Sequence, residues 1–119
     1  MEKVFFALQA MRPPFVPYEY NIHVMVEECL LNAGLAYTHE AIIGKGCRID
    51  YLVEDVGIEI KKGKQVPRVL LKQLERYAAC EAIGSLVIIS QRSVRLPGCV
   101  GGKALCQIVL PQLWGVALP

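Results

Sequence analysis

The stretch Cys47-Arg48-Ile49-Asp50-Tyr51-Leu52-Val53-Glu54-Asp55-Val56-Gly57-Ile58-Glu59-Ile60-Lys61-Lys62 decides the architecture. Two apolar-rich runs, Cys47 to Val53 and Val56 to Lys61, flank the polar pair Glu54-Asp55, the pattern of an antiparallel hairpin with a two-residue turn. Counting outward from that turn opposes Val53 to Val56, Leu52 to Gly57, Tyr51 to Ile58 and Asp50 to Glu59. Side chains alternate along a strand, so Ile49, Tyr51, Val53, Val56, Ile58 and Ile60 are expected on one face, buried in a core. Arg48, Asp50, Leu52, Gly57, Glu59 and Lys61 fall on the other, which gathers the ionisable groups on one side of the ribbon.

On the N-terminal side, Tyr37 to Ile43 reads as a strand and Gly44-Lys45-Gly46 as a turn. Further back, Ile22, Val26, Cys29, Leu30 and Ala33 recur at helical spacing, which predicts a helix from about Tyr18 to Ala33 stopped by Gly34. The cluster Arg12-Pro13-Pro14-Phe15-Val16-Pro17 closes an expected extended arm, residues 1–17, with the folded unit beginning after it. On the C-terminal side, a second helix is predicted from Val66 or Pro67 to about Ile83, with Leu70, Leu71, Leu74, Ala78 and Ala82 inward and Gly84 as its stop. Leu86 to Ser90 is a short apolar strand and Ala104 to Leu110 the last one. The order α-β-β-β-α-β-β indicates an α/β fold, a mixed central sheet flanked by helices.

The 119 residues have room for one domain spanning 1–119 and one core. The apolar fraction of 54% would suit a membrane protein, yet no apolar run approaches the roughly 20 residues that a spanning helix needs. No membrane partner is expected. Five cysteines (Cys29, Cys47, Cys80, Cys99, Cys106) lack a Cys-x-x-Cys pair, and their odd number leaves one over in any disulfide scheme. Reduced thiols and a cytoplasmic location are therefore expected. The net charge of +2 is uninformative, but its distribution is not. Lys61, Lys62, Lys64, Arg68, Lys72 and Arg76 stand against the single acid Glu75, a local basic patch suited to phosphates.

Asp50 and Glu59, opposed on neighbouring strands, would repel each other without a cation between them. A divalent ion resolves that conflict, and magnesium is commonly held by one or two carboxylates together with waters and phosphate oxygens. Such an ion can activate water and polarise a phosphoryl oxygen, while Lys61 would stabilise the charge that develops. Glu-x-Lys alone also suits the solvated face of an edge strand; the wholly apolar opposite face argues for a core hairpin instead.

Together these residues resemble the PD-(D/E)XK nuclease superfamily, whose signature is an acid on one strand and acid-x-lysine on the next within an α-β-β-β-α-β core. Here it reads Arg48-Ile49-Asp50-Tyr51-Leu52-Val53, then Gly57-Ile58-Glu59-Ile60-Lys61-Lys62, and the likeness runs from about Tyr20 to Ser90. Gln73-Leu74-Glu75-Arg76-Tyr77 looks like the Gln-x-x-x-Tyr motif of RecB-like nucleases, its ends sharing one helix face. Ile49-Asp50 replaces the Pro-Asp that gives the family its name.

The resemblance implies a restriction-endonuclease-like core and a Mg2+- or Mn2+-dependent deoxyribonuclease. Asp50, Glu59 and the carbonyl of Ile60 would be metal ligands, Lys61 the catalytic lysine, and Gln73 and Tyr77 would lie near the active site and DNA. Such proteins often place a further metal-directed residue on the first helix; His23 is favoured here, with Glu27 on the same face as the acidic candidate. Lys62 and Lys64 are placed to touch nucleic acid near the scissile bond, and Arg68, Lys72 and Arg76 recur every four residues, able to track a phosphate backbone or simply to form a solvated face. The alternative is a non-catalytic or weakly catalytic nucleic-acid-binding module on the same fold. A zinc or redox protein built on the cysteines and two histidines is disfavoured by ligand spacing. So small a domain has little surface to wrap a duplex, which suits a homodimer or a larger complex.

Overall fold

The computed structural model describes residues 1–12 and 21–110. Its elements run α1 (Glu2–Leu8), α2 (Ile22–Asn32), β1 (Thr38–Gly44), β2 (Cys47–Val53), β3 (Val56–Lys61), α3 (Pro67–Ala78), β4 (Ser85–Ser90), β5 (Cys99–Val100) and β6 (Lys103–Val109). The strands form one mixed sheet in the order β1-β2-β3-β4-β6-β5. β1 and β2 are antiparallel, as are β2 and β3; β3, β4 and β6 run parallel, and β5 returns antiparallel on β6. The protein is thus α/β, with a mixed sheet flanked by helices.

The helices cover opposite faces. One apolar cluster joins Val4 and Leu8 of α1 and Ile22, Val26 and Leu30 of α2 to Tyr51, Ile58, Ile60, Val87 and Ile89 of the sheet. A second joins Leu70, Leu74, Tyr77 and Ala78 of α3 to Ala41, Ile49, Leu86, Ile88 and Leu105. Every residue of β4 is buried, as expected of a parallel strand covered on both faces. This explains why Ser-Leu-Val-Ile-Ile-Ser lacks alternation.

Residues 1–17 are not an extended arm throughout. Val4 and Leu8, four apart, bury one face of α1, and Met11 is buried behind them; a single pair of helical contacts is too short a signal to read against the neighbouring prolines. Residues 13–17, and 18–20 at the start of the expected first helix, lie outside the described residues. α2 begins at Ile22, where the Asn21 side chain accepts the Val24 N–H at 3.3 Å, a normal N-cap that satisfies a free donor.

α3 ends at Ala78 rather than Ile83. Ser85 must pair with Val56 at the start of β4, and a helix continued to Ile83 would leave no chain to make that return. The Asp55 carbonyl fixes the return by accepting the Gly84 N–H at 2.7 Å, so the hairpin turn and the end of the crossover are tied together. Within the turn, Glu54 takes φ +55°, the left-handed conformation that a tight hairpin requires at this position.

Gly57 sits where apolar side chains leave no room for a Cβ. A Cβ there would stand 2.6 Å from Ile49 Cδ1, 2.8 Å from Ile83 Cδ1 and 3.0 Å from Leu86 Cδ2. Gly57→Ala is therefore expected to lower stability by about 1–3 kcal/mol through overpacking, read as a lower urea midpoint at unchanged m-value. An unchanged midpoint would contradict this packing.

Candidate active site

The hairpin follows the counted register through Val53–Val56, Leu52–Gly57 and Tyr51–Ile58, and there the β2–β3 ladder stops. Asp50 and Glu59 are not a ladder pair. On the other side of β2 the register runs His39–Tyr51 and then Ala41–Ile49, skipping Glu40 and Asp50. Glu40 takes φ +51°, a strained conformation for a side chain with a Cβ and one that clusters at functional sites. At the same level β2 changes face. Tyr51 packs toward α2, whereas Ile49, expected beside it, packs toward α3.

Where the ladder stops, the two carboxylates take its place. Asp50 Oδ2 accepts the Ile60 N–H at 2.8 Å, and Glu59 Oε1 accepts the Asp50 N–H at 3.2 Å. Each acid is thereby held by a main-chain donor, and the pair lies in the opening between the strands rather than on a flat polar face.

Glu59 is only 5% exposed. Its Oε2 lies 3.2 Å from Lys61 Nζ, 3.1 Å from Tyr77 Oη and 3.4 Å from Gln73 Nε2. Gln73 Nε2 also donates to Tyr77 Oη at 2.9 Å, and that hydroxyl stands 3.2 Å from the Arg48 carbonyl, so its proton is shared between Glu59 and the backbone. The α3 residues Gln73 and Tyr77, one turn apart, thus brace the carboxylate from the helix side. Burial, and then the charge of Asp50, raise the Glu59 pKa, while Lys61 pulls it down. Burial and the adjoining Glu59 charge likewise raise that of Tyr77.

With both acids ionised, Asp50, Glu59 and Lys61 carry one uncompensated negative charge in a partly buried place. Hard oxygen donors of this kind suit magnesium or manganese. Among the described residues no three His, Cys, Asp or Glu side chains converge on one point, so an ion here would complete its shell with water and backbone oxygens.

His23 and Glu27 do share a face of α2, but that face meets Tyr51. The Tyr51 hydroxyl contacts the Glu27 carboxylate, the His23 carbonyl at 3.4 Å and His23 Nδ1 at 3.3 Å. His39 stacks on the Tyr51 ring with centroids 4.7 Å apart. Neither His23 nor Glu27 joins Asp50 and Glu59 in a three-ligand group. Their contact with the residue next to Asp50 is a bracing one, and Tyr51, counted in sequence as apolar core, is its hub. Burial and the Glu27 carboxylate push the Tyr51 pKa up, keeping the phenol protonated.

Lys62, Lys64, Arg68 and Lys72 are all exposed. Lys72, Gln73 and Arg76 line one hollow along α3, and Lys64 lines a separate one beyond the end of β3. Four of the five cysteines are half-buried and Cys99 is exposed; all are free. No helix among the described residues is long and apolar enough to cross a membrane. No family model matches the chain, and no curated protein or solved structure matches it.

Glu59 keeps its proton to a higher pH folded than its ordinary pKa of about 4.3. The folded protein therefore binds more protons than the unfolded chain between those two values, and this group's contribution makes stability fall as pH rises through that window. In a chelator, Glu59→Gln is expected to remove that slope from a pH series of thermal midpoints. Added Mg2+ or Mn2+ should raise the wild-type midpoint and leave the variant's unchanged; a pH slope that persists undiminished in the variant would contradict its assignment to Glu59.

Proposed function

We propose that the chain is a divalent-metal-dependent nuclease that hydrolyses phosphodiester bonds in DNA, built on a restriction-endonuclease-like α-β-β-β-α-β core. The observation that carries this reading is the gathering of Asp50, Glu59 and Lys61 at the opening between β2 and β3, with Gln73 and Tyr77 bracing Glu59. The parallel crossover from β3 through α3 to β4 supports it, because it sets the Gln-x-x-x-Tyr helix directly over the acid-x-lysine strand.

In this reading Asp50 and Glu59 hold a magnesium or manganese ion, with the Ile60 carbonyl as a third donor. The bound ion would supply Lewis acidity toward the phosphoryl oxygen and a more acidic water. Lys61, whose ammonium already sits against Glu59, orients the attacking water and stabilises charge on the phosphoryl group. Gln73 and Tyr77 keep the Glu59 carboxylate from rotating, so the ligand geometry survives between turnovers. His23, through Tyr51, holds the neighbouring turn of β2. Lys62, Arg68 and Lys72 are proposed to contact DNA phosphates, since all three are exposed, Lys62 next to Lys61 in sequence and Arg68 and Lys72 on α3 with Gln73 and Tyr77. DNA is thus the proposed partner, and a homodimer would extend so small a binding surface.

Of a panel of linear, circular and branched DNA incubated with Mg2+ or Mn2+, at least one should be cleaved, and Lys61→Ala should cut that rate by about 10²–10³-fold, with circular dichroism verifying its fold. Tyr77→Phe should lose about 10–100-fold in activity or metal affinity. Equal cleavage by wild type and Lys61→Ala would refute the assignment.

A further inference from the structure

Beyond the catalytic ends of β3 and β4 the chain builds a second cationic feature that the hairpin chemistry does not use. Lys64 and Gln65 from the β3–α3 connection, Pro67 at the start of α3, and Arg92, Ser93, Val94 and Arg95 from the loop after β4 line an open hollow of about 370 Å³. No carboxylate lines it. Among the described residues, none of its three cations makes a salt bridge. Lys64, Arg92, Ser93 and Arg95 are all exposed, with their polar ends free to meet a ligand.

The walls are held in place. Gln91 N–H donates to the Lys61 carbonyl at 3.2 Å, and Gln91 Oε1 accepts the Gly63 N–H at 3.1 Å. These bonds tie the two connections together directly past the catalytic lysine. In the loop after β4 Val94 is buried, 6% exposed, and Leu96 packs against the same apolar cluster. The Gln107 side-chain amide of β6 lies against Val94, one polar atom 2.8 Å from the Val94 carbonyl oxygen and the other 3.2 Å from the Val94 nitrogen, and the amide orientation that turns Nε2 to the carbonyl satisfies both. Pinning Val94 presents Arg92 and Ser93 on one side of the anchor and Arg95 on the other.

Guanidinium groups match phosphate geometry with paired N–H donors, and Ser93 adds a neutral donor. We propose that Lys64, Arg92, Ser93 and Arg95 form a phosphate-binding pocket that grips a DNA backbone phosphate flanking the scissile bond. The proposal rests on the nuclease reading for the identity of the strand. It goes beyond that reading by assigning the loop after β4 to substrate binding. The pocket fixes register along the strand, because a phosphate seated there determines which neighbouring phosphodiester reaches Lys61.

The test is fluorescence anisotropy of labelled duplex DNA with Ca2+ in place of Mg2+, over a salt series, for wild type, Arg92→Ala/Arg95→Ala and Arg92→Lys/Arg95→Lys. The alanine pair should weaken binding at least tenfold and reduce the log–log salt slope by about one to two, as expected for lost phosphate contacts. The lysine pair should restore most of the slope and only part of the affinity, and thermal melts should show all three proteins folded alike. Wild-type affinity and slope in the alanine pair would overturn the pocket while leaving metal-dependent cleavage through Lys61 standing. Binding that depends on these arginines, in a protein that cleaves nothing with Mg2+ or Mn2+, would support the pocket and sink the nuclease reading. Competition by polyglutamate as effective as by DNA of equal charge would overturn the phosphate assignment.

Discussion

Two carboxylates are held together by the backbone that they interrupt. Asp50 takes the N–H of Ile60, and Glu59 takes the N–H of Asp50, so each acid fills the acceptor position that a continuous ladder would give to a carbonyl. A buried main-chain donor without a partner is costly, about 1–3 kcal/mol, and this exchange removes that cost at the point where the strands part. It also fixes two like charges in one opening. Lys61 offsets only part of their repulsion, which is why burial and Asp50 together raise the Glu59 pKa.

The rest of the fold keeps that opening in place. Gly57, packed against Ile49, Ile83 and Leu86, lets β3 lie tightly under the α3 side, and the Asp55 carbonyl fastens the hairpin turn to the start of β4. α3 then lies where Tyr77 and Gln73 reach Glu59. On the opposite face α2 reaches Tyr51 with Glu27 and His23. Both helices therefore brace the hairpin on either side of its break, and a site made from strand ends gains rigidity from two independent apolar clusters.

Much of this was legible in the residues themselves. A strict two-residue turn between apolar runs yields the bounds of β2 and β3, and alternation across them identifies Asp50, Glu59 and Lys61 as neighbours. The four-residue spacing of Gln73 and Tyr77 puts them on one face of α3. What pattern could not reveal is where alternation fails. Nothing in Glu40 or Ile49 announces a left-handed backbone and a shift of face, since a local kink is chosen by the packing on both sides of the sheet. Tyr51 read as core and its ring is buried there, but the pattern could not show that its hydroxyl is engaged by Glu27. α1 was hidden by its brevity, and β5 by having only Cys99 and Val100. Arg92 and Arg95 stand out only once β4 is seen to end beside Lys61.

In the proposed nuclease Asp50 and Glu59 form one cation site. Its most direct measurement is paramagnetic broadening in the ¹⁵N-resolved NMR spectrum on adding substoichiometric Mn2+. The amides of Asp50, Tyr51, Glu59, Ile60 and Lys61 are expected to broaden first and together, and Asp50→Asn to abolish the effect at all five. Broadening centred elsewhere, for example on the turn acids Glu54 and Asp55, or surviving unchanged in Asp50→Asn, would contradict it.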